Sequence, residues 1–546
     1  MIPMLIGKTY EEIYNNFKWK LPEYYNIGVD ACDKWANEKY RLAIIDLGHE
    51  GKERKCTFWE LKNLSNQLAN TLRAAGIERG DRVGILLPQC LEALVSYVAT
   101  YKMGCIAVPL LVLFGTMALE QRLGNSQTKG VITNRENFAK ILEIKERLPD
   151  LKVIMVIDPE DGEGILDFWE SIEKGSRYFA PAMTKPDDPA VIIYTSGTTG
   201  PSKGALLPQR VLLGHLPCFT LCLNLFPKEG DLCWTNLDWA YIGGLFDLLF
   251  PSLQYGIPVL AHRVKRFDPE EAFYIIAKYG VRNLVTVPTT LKMMRQVENP
   301  QKRYDFKLRS IALGGETMGE ELYHWGKDIL GVGINEVYGQ TECNWVVGNC
   351  SEIMKVIPGS MGRTVPGHIV EIIDDNGRIV KPGEFGEIAV KRPDPVMFLE
   401  YWGNPEATKE KYIVDWLRTG DYGTKDESGY FWFTGRKDDV IESAGYRIGP
   451  GEVEDCLMKH EAVSLAAVIG VPDKVRGQIV KAFIVPKEGV NIDQALEDSI
   501  RQHVKLKLEA HAYPREVEFV KELPKTATGK IMRKELQRID AEKKAK

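Results

Sequence analysis

Apolar residues follow two alternating patterns between residues 58 and 287, and these patterns predict helices and buried strands. At 58–72 they recur every three or four positions, as on the buried face of an amphipathic helix. At 83–87 they form a short continuous run, and a helical pattern follows at 91–98. Similar short runs recur at 129–133, 153–157, 191–194, 259–261 and 283–287. Strands that alternate with helices predict an α/β fold with largely parallel, buried sheets.

The pattern changes from about residue 362 onwards. Short β-rich stretches at 369–374 and 386–391 alternate with proline and glycine turns. This texture predicts a small β-subdomain or barrel. A chain of 546 residues is also too long for one compact core, so we expect two or more domains.

One stretch, residues 239–261, is strongly apolar and about as long as a membrane span. Gly243, Gly244, Asp247 and Pro251 interrupt it. We therefore expect a buried helix followed by a strand, and no membrane span.

The net charge of −5 provides no strong field for binding nucleic acid or an anionic membrane. The ten cysteines include no C-x-x-C pair, which favours reduced core residues over a metal site or disulfides. The apolar run at residues 1–7 is shorter than a signal peptide requires. These features predict a cytoplasmic protein.

The most informative motif is the sequence Thr-Ser-Gly-Thr-Thr-Gly-Pro-Ser-Lys-Gly at 195–204, directly after an apolar β-run. Its glycines allow close approach of the backbone, its hydroxyls donate hydrogen bonds and Lys203 adds a positive charge. These properties suit a polyphosphate. The spacing differs from that of a Walker A loop, because Lys203 follows Gly200 by three residues and precedes a glycine.

Four further motifs follow in the chain, at residues 335–342, 416–421, 434–441 and 524–530. The first provides Tyr338 as an aromatic face for a base, Thr341 as a hydroxyl and Glu342 as a carboxylate for Mg²⁺. The second ends in Asp421, which can accept hydrogen bonds from a ribose diol. The last places Lys530 next to a glycine.

With these five motifs in this order, the chain resembles the superfamily of adenylate-forming enzymes, which includes acyl-CoA synthetases, firefly luciferase and the adenylation domains of peptide synthetases. The resemblance extends from about residue 30 to about residue 536, and the layout is most similar to the short- and medium-chain acyl-CoA synthetases. It implies a large N-terminal domain at 1–437, built from two α/β subdomains and a small β-barrel-like subdomain. A small mobile α+β domain at 438–546 would follow.

The resemblance also implies the reaction. A carboxylate attacks the α-phosphate of MgATP and releases pyrophosphate, and the CoA thiol then displaces AMP from the acyl-adenylate. Lys530 would bridge the carboxylate and the α-phosphate, with Thr341 and Glu342 as further catalytic residues and Glu342 as the Mg²⁺ ligand. The residues implied to bind ATP are Thr195, Ser196, Gly197, Thr198, Thr199, Gly200, Lys203, Gly315, Glu316, Thr317, Glu336, Val337, Tyr338, Gly339, Gln340, Asp421, Arg436 and Arg447.

In the family the C-terminal domain swings between the two steps, and Asp438 occupies the hinge position. Ser443, Gly445 and Lys505 are the implied CoA contacts. Gly445 matches the glycine beside the pantetheine tunnel, where the absence of a side chain leaves a path for the thiol arm. Some relatives are acetylated at the lysine equivalent to Lys530, which implies a lysine acetyltransferase as a partner.

The acyl pocket is predicted from Trp239, Ala240, Tyr241, Val287, Gly314 and Gly339, with residues 288 and 289 nearby. Acetate-using relatives have a tryptophan at the place of Gly339, and Gly314 lies on the same predicted wall. Two missing side chains imply a pocket longer than acetate needs, since each buried methylene adds about 0.8 kcal/mol of binding. We expect an acid between propionate and medium chain length, including branched acids.

Two alternatives remain open from the sequence. Amino-acid adenylation domains use an aspartate near Asp238 to pair with a substrate amine, so an amino-acid adenylating enzyme is the first. A nucleotide-binding sensor without turnover is the second.

Overall fold

The structure is a computed structural model, and it describes residues 5–48, 52–159, 164–195, 202–263, 266–436, 439–443, 446–473, 476–508, 512–525 and 531–545. Its α-helices, numbered in chain order, are α1 Tyr10–Asn16, α2 Ile27–Ala31, α3 Phe58–Ala74, α4 Leu91–Lys102, α5 Thr116–Asn125, α6 Arg135–Ile144, α7 Phe168–Glu173, α8 Val211–Cys222, α9 Ile242–Gly244, α10 Phe250–Gln254, α11 Pro269–Tyr279, α12 Pro288–Met294, α13 Pro300–Arg303, α14 Glu320–Trp325, α15 Pro405–Glu410, α16 Pro450–Met458, α17 Gln494–Lys507 and α18 Arg533–Ala545.

The strands are β1 Leu42–Asp46, β2 Arg54–Thr57, β3 Arg82–Leu86, β4 Ile106–Pro109, β5 Gly130–Asn134, β6 Val153–Ile157, β7 Leu166–Asp167, β8 Pro189–Thr195, β9 Lys203–Pro208, β10 Cys233–Thr235, β11 Val259–Ala261, β12 Asn283–Thr286, β13 Ser310–Leu313, β14 Ile334–Gln340, β15 Asn344–Gly348, β16 Gly362–Thr364, β17 Val370–Ile373, β18 Gly386–Lys391, β19 Glu400–Tyr401, β20 Tyr412–Ile413, β21 Trp416–Lys425, β22 Tyr430–Arg436, β23 Ile441–Ser443, β24 Tyr446–Ile448, β25 Val463–Asp473, β26 Gly477–Pro486 and β27 Glu516–Phe519.

The chain divides into two compact units, and the first comprises Met1–Val370 and Val390–Leu417. It contains two sheets whose central strands are parallel, as the alternation of strands and helices predicted. One sheet has the order β2-β1-β11-β10-β12-β13-β14-β15-β16, and the other has the order β19-β9-β8-β4-β3-β5-β6-β7. Each sheet has a core of buried aliphatic and aromatic side chains. The prediction of an α/β architecture is confirmed.

Local sequence explains where the helices of this unit begin and end. Thr57 and Glu60 form a capping box at the start of α3, because each side chain bonds to the backbone N–H of the other. Helix α11 begins after the N-cap Asp268 with a proline at its first position, and it ends at Gly280, whose φ is +69°.

The apolar stretch at 239–261 is broken as the sequence predicted. It forms α9, a five-residue π-helix at Leu245–Leu249, α10 and then strand β11. In the part of the chain that the structure describes, no helix is long and apolar enough to cross a membrane. All ten cysteines are free thiols, and nine of them are buried, which agrees with their prediction as reduced core residues.

The second unit comprises Glu371–Ala389 and Arg418–Lys546. Strands β17, β18, β21 and β22 follow one another in sheet order and correspond to the predicted β-rich region. A further sheet has the order β24-β23-β26-β25, with β27 parallel to β26, and α16, α17 and α18 complete the α+β arrangement. The predicted domain boundary at residues 437 and 438 stays a prediction, because both lie outside the described residues.

Candidate active site

Strands β8 and β9 hold the two ends of the glycine-rich motif. They are antiparallel, with Thr195 opposite Lys203, and the Thr195 hydroxyl donates a hydrogen bond of 3.4 Å to the Lys203 carbonyl oxygen. A strand follows this motif, whereas a helix follows a Walker A loop. The motif therefore differs from a P-loop in structure as well as in spacing. Of the residues predicted to bind phosphate, Ser196, Gly197, Thr198, Thr199 and Gly200 lie outside the described residues.

Lys203 and Glu342, from two different predicted motifs, both lie against Tyr401. The Lys203 Nζ is 5.4 Å from the centre of the Tyr401 ring, and the Tyr401 hydroxyl donates a hydrogen bond to the Glu342 carboxylate. Tyr401 occupies this place because β19 pairs with β9, where it lies opposite Ala205. The Glu342 carbonyl oxygen also accepts a 2.9 Å hydrogen bond from the backbone N–H of Phe398. A cation, a phenol and a buried carboxylate thus converge at the end of the β8–β9 hairpin.

A cavity of about 310 Å³ opens beside Lys203. Most of its lining is polar, and it consists of Gln121, Asn125, Ser202, Lys203, Gly204, Trp402, Gly403 and Asn404. One wall is held by Arg122, whose guanidinium donates a 2.8 Å hydrogen bond to the Ser202 hydroxyl. Donors and a lysine therefore surround the end of the glycine-rich hairpin that the structure describes.

Strand β14 carries most of the second motif. Glu336, Val337 and Tyr338 are buried, and Tyr338 is only 8% exposed. The side chain of Gln340 accepts a 3.2 Å hydrogen bond from Lys411, and Thr341 follows in the turn between β14 and β15. Most of the Tyr338 ring is thus covered by protein in the structure, although the sequence predicted an aromatic face open to a base.

Gly339 requires a correction. A Cβ atom built on Gly339 would lie 1.6 Å from the carbonyl oxygen of Asn344 and 2.8 Å from the Cα of Trp345. The glycine is needed because β14 and β15 shift register between Tyr338 and Gly339 and their backbones approach closely there. Its missing side chain is therefore not free space in an acyl pocket, and the inference of a longer pocket from Gly339 is wrong.

Gly314 behaves differently from Gly339. A Cβ atom at Gly314 would meet Val337 Cγ2 at 3.0 Å and the Trp345 indole nitrogen at 3.7 Å. Both neighbours are side-chain atoms, so Gly314 lies open to a space bounded by the side chains of Val337 and Trp345. Trp345 was not predicted, and it is the side chain next to this glycine that a sequence reading of residues 335–342 stops short of.

The loop after β13 connects the predicted adenine and acyl residues. Gly315 has a φ of +88°, which favours glycine, and Glu316 and Thr317 follow it. Both carboxylate oxygens of Glu316 lie within hydrogen-bond distance of the Thr289 hydroxyl, at 2.9 and 3.1 Å. Val287 precedes Thr289 as the N-cap of α12. These two stretches therefore adjoin one another.

The stretch with Trp239, Ala240 and Tyr241 forms the turn before α9. Trp239 is 1% exposed, and its carbonyl oxygen accepts a 3.2 Å hydrogen bond from the Tyr97 hydroxyl. The Asp238 carboxylate accepts a 2.8 Å hydrogen bond from the backbone N–H of Ala240, as in an Asx turn. Burial raises the pKa of Asp238 to about 6. Asp238 thus has a structural role in this turn, which weakens the reading of it as a partner for a substrate amine.

In the second unit, the predicted ribose residues adjoin each other. Asp421 and Arg436 are opposite one another on β21 and β22, with the Arg436 Nε 3.7 Å from an Asp421 carboxylate oxygen. Ser443 is buried on β23, and Lys505 is on α17 with its Nζ 5.8 Å from the Tyr513 ring centre. Asp438, Gly445, Lys530 and the side chain of Arg447 lie outside the described part of the structure.

The sequence was compared with family models and with known proteins. Residues 32–402 match the model for AMP-binding enzymes, and residues 452–530 match the model for the AMP-binding enzyme C-terminal domain. The chain belongs to the AMP-binding enzyme family. It is 36% identical to the mitochondrial acyl-coenzyme A synthetase ACSM4 of Homo sapiens, over 96% of this chain and 92% of that protein. It is 35% identical to the acetyl-coenzyme A synthetase of Bacillus subtilis, over 97% of this chain and 95% of that protein.

Solved structures of this family have the same fold. An anthranilate CoA ligase in complex with anthranoyl-AMP matches with a TM-score of 0.89 at 28% identity, over 96% of this chain and 99% of that chain. The acyl-CoA synthetase of Brucella canis matches with a TM-score of 0.76 at 32% identity, over 98% of this chain and 100% of that chain. The prediction of an adenylate-forming ligase of the acyl-CoA synthetase type, with a large N-terminal and a small C-terminal domain, is confirmed.

Proposed function

We propose that the protein is an AMP-forming acyl-CoA synthetase that activates a carboxylic acid with MgATP and transfers the acyl group to CoA. The observation that carries this proposal is the convergence of Lys203, Tyr401 and Glu342 at the end of the β8–β9 hairpin. The names of relatives that match over nearly the whole chain support the same reaction.

The first step requires a carboxylate anion to approach a polyanion, so positive charge must offset their repulsion. Lys203 supplies such a charge where the β- and γ-phosphates would lie, beside the hydroxyls and glycines of the motif. Lys530, by its place in the last motif, would act at the other end, between the carboxylate and the α-phosphate. Asp421 and Arg436 would hold the ribose and its adjoining phosphate.

Glu342 has the chemistry of a Mg²⁺ ligand. It offers carboxylate oxygens, and the Tyr401 hydroxyl fixes the orientation of the group. Among the described residues, no three His, Cys, Asp or Glu side chains cluster as a metal site. One carboxylate with phosphates and waters is the arrangement that Mg²⁺ commonly adopts with nucleotides, and the bound ion would offset phosphate charge.

The acyl chain would lie along Gly314, with Trp239, Ala240, Tyr241 and Val287 around it. Gly314 still favours an acid longer than acetate, because its open side faces the Val337 and Trp345 side chains. We therefore retain propionate to medium-chain acids as the proposed range. Ser443, Gly445 and Lys505 stay the proposed CoA contacts, and Asp438 stays the proposed hinge between domains at 1–437 and 438–546. Cytoplasmic location and acetylation of Lys530 also stay predictions.

An assay of the purified chain tests the reaction. ATP and Mg²⁺ are supplied with a panel of fatty acids or amino acids, with and without CoA, and pyrophosphate and AMP are measured. We expect AMP formation that requires both a fatty acid and CoA. Exchange of pyrophosphate with amino acids and no CoA requirement would instead select the amino-acid adenylating enzyme. No turnover with any acid would favour the sensor.

Variants at the carboxylate test the site. Glu342→Gln removes the proposed Mg²⁺ ligand and should lower kcat/KM by at least 100-fold. Tyr401→Phe removes a hydrogen bond to a charged group, and we expect a loss of about tenfold or more. Tyr412→Phe is a matched control, because Tyr412 stacks on Phe398 nearby at 6.3 Å between ring centres. Equal losses in Tyr401→Phe and Tyr412→Phe would contradict the role given to Tyr401.

A further inference from the structure

Three buried polar side chains meet where α8, the π-helix at Leu245–Leu249 and β15 come together. They are His215, Asp247 and Asn344, which are 0%, 4% and 1% exposed. The His215 Nε2 and the Asp247 Oδ1 are 3.5 Å apart, at the limit of hydrogen-bond distance. Among the described residues, both ring nitrogens of His215, the Asp247 Oδ1 and the Asn344 Nδ2 have no hydrogen-bond partner.

Such a cluster is costly for the folded state. A buried polar group without a partner costs about 1–3 kcal/mol, and such groups are uncommon in native proteins. Nearby His368 shows the ordinary arrangement, because its Nδ1 is 2.7 Å from the Asp394 carboxylate. Unpaired groups at one place are expected where a ligand supplies the missing partners.

The cluster adjoins the proposed acyl site on the side of α9. Asp247 lies near Gly243, which follows Tyr241 by two residues, and a Cβ atom on Gly243 would be 3.7 Å from the Asp247 Oδ2. Three residues of the sequence separate Asp247 from Gly243, so the turn that carries Trp239 to Tyr241 leads directly into the π-helix.

The cluster also adjoins the acyl site on the side of β14 and β15. The ring of Trp345 is 5.1 Å from that of His215, and its indole nitrogen is 3.7 Å from a Cβ built on Gly314. Asn344 precedes Trp345 and lies against Gly339. The three polar side chains therefore stand behind the wall formed by Gly314 and Trp345.

The chemistry of the cluster restricts what it can bind. Burial lowers the pKa of His215 to about 3, so the imidazole is neutral at pH 7. Burial raises the pKa of Asp247 well above its ordinary value, although the Asn344 amide opposes this rise. Among the described residues, His215 and Asp247 have no ion-pair partner except each other. Neutral groups that each donate and accept match a ligand group that is uncharged and does both, which a hydroxyl does.

We propose that His215, Asp247 and Asn344 form the distal end of the acyl site and select acids whose chain carries an uncharged hydroxyl group. This inference rests on the proposed acyl-CoA synthetase function. The substrate hydroxyl donates to one acceptor of the His215–Asp247 pair and accepts from the Asn344 amide. An acid without the hydroxyl leaves these buried groups unpaired, and sites built to bind a hydroxyl reject such analogues strongly.

The test compares acids of one length. CoA-dependent AMP formation is measured for the wild-type protein with hexanoate, with 4-, 5- and 6-hydroxyhexanoate, and with 6-aminohexanoate. We expect at least one hydroxy acid to exceed hexanoate in kcat/KM by about tenfold or more. The three hydroxyl positions are needed because the depth of the cluster from the reacting carboxylate sets which position fits.

Variants assign the preference to the cluster. The double variant His215→Leu/Asp247→Leu replaces both partners by apolar groups, a change that buried pairs often tolerate. It should favour hexanoate over every hydroxy acid. His215→Gln and Asp247→Asn keep the volume and should reduce the preference at least threefold, which covers a double variant that fails to fold. Thr220→Val is the matched control, because Thr220 is buried on α8 and its hydroxyl bonds to Tyr255 at 2.6 Å. It should keep the wild-type preference.

Two results would overturn the inference while AMP formation persists. One is a wild-type protein that prefers hexanoate, or the amino acid, over all hydroxy acids. The other is a hydroxyl preference that the cluster variants leave unchanged. Absence of AMP formation with every acid would overturn the proposed function itself, and with it this inference.

Discussion

At the scale of single residues, Gly339 shows how a sequence motif and a structure give different reasons for the same glycine. Its Cβ direction points at the Asn344 carbonyl, so Gly339→Ala forces the β14 and β15 backbones apart. We expect a loss of more than about 2 kcal/mol in the free energy of unfolding, measured by chemical denaturation.

Gly314→Ala is the matched control for this prediction. Its new methyl group meets side-chain atoms that can move, so stability should change by less than about 1 kcal/mol. The activity ratio of longer to shorter acids should fall instead. If Gly339→Ala were as stable as Gly314→Ala, the close approach of the two strands would be disproved.

His215 gives a prediction about pH. The folded protein holds the pKa of His215 at about 3, whereas an unfolded histidine has a pKa near 6.5. The unfolded chain therefore takes up the proton first, and the stability due to the neutral histidine is lost as the pH falls below about 6.5. His215→Gln removes this loss. Relative to the wild type, its free energy of unfolding should rise by about 2 kcal/mol between pH 7 and pH 5.

This comparison uses the difference between two proteins because Asp247 has the opposite pH dependence. Its raised pKa favours the folded state at lower pH, and both proteins share that effect. His324→Gln is the control, because His324 is more than half exposed. A difference between wild type and His215→Gln that stays constant from pH 7 to pH 5 would mean that His215 titrates equally in both states.

Motif order was sufficient to predict Lys203 and Glu342, but the residues that join them were beyond sequence reasoning. Tyr401 reaches Glu342 because β19 pairs with β9, a contact between stretches almost 200 residues apart. Trp345 and His215 have no polar pattern around them, and an apolar helix such as α8 reads as plain core. Such residues are recognisable only when the tertiary contacts are known.

At the scale of elements, the segment that carries Lys530 is anchored at both of its described ends. Lys525 and Ile531 form an antiparallel bridge, and the backbone N–H of Met532 donates a 2.9 Å hydrogen bond to the Pro524 carbonyl oxygen. Helix α18 then begins at Arg533, whose guanidinium donates a 2.6 Å hydrogen bond to Glu454 on α16. The base of the 526–530 stretch is thus tied to α16.

This anchoring predicts the effect of Arg533→Met. The change leaves the buried Glu454 carboxylate without its cation, and removal of one partner of a buried pair is destabilising. We expect the rate of acid-dependent pyrophosphate exchange to fall at least fivefold, because Lys530 depends on this base for its position. Arg538→Met is the matched control, since Arg538 is on the same helix but pairs with Glu535 and Glu542 at the surface. Equal rates in the two variants would contradict the proposed anchoring.

At the scale of the whole molecule, the sequence predicted the architecture well because it depends on patterns that extend along the chain. Alternating strands and helices predicted the parallel sheets, and the change in texture near residue 362 predicted the β-rich strands β17 and β18. The register of β14 against β15 was not predictable, because a single shift between Tyr338 and Gly339 determines which side chains face the acyl site.

The two-step reaction gives the last prediction, which concerns Gly445. By family resemblance, Gly445 lies beside the path of the pantetheine arm and takes no part in the attack of the carboxylate on ATP. Gly445→Leu should therefore keep acid-dependent exchange of pyrophosphate into ATP within about twofold of the wild type. Thioester formation should fall at least 100-fold, because a leucine side chain fills the space that the thiol must cross. The two rates are measured on the same preparation, so misfolding would lower both together. A folded protein that loses both steps equally would show that Gly445 serves the nucleotide site and not the CoA path.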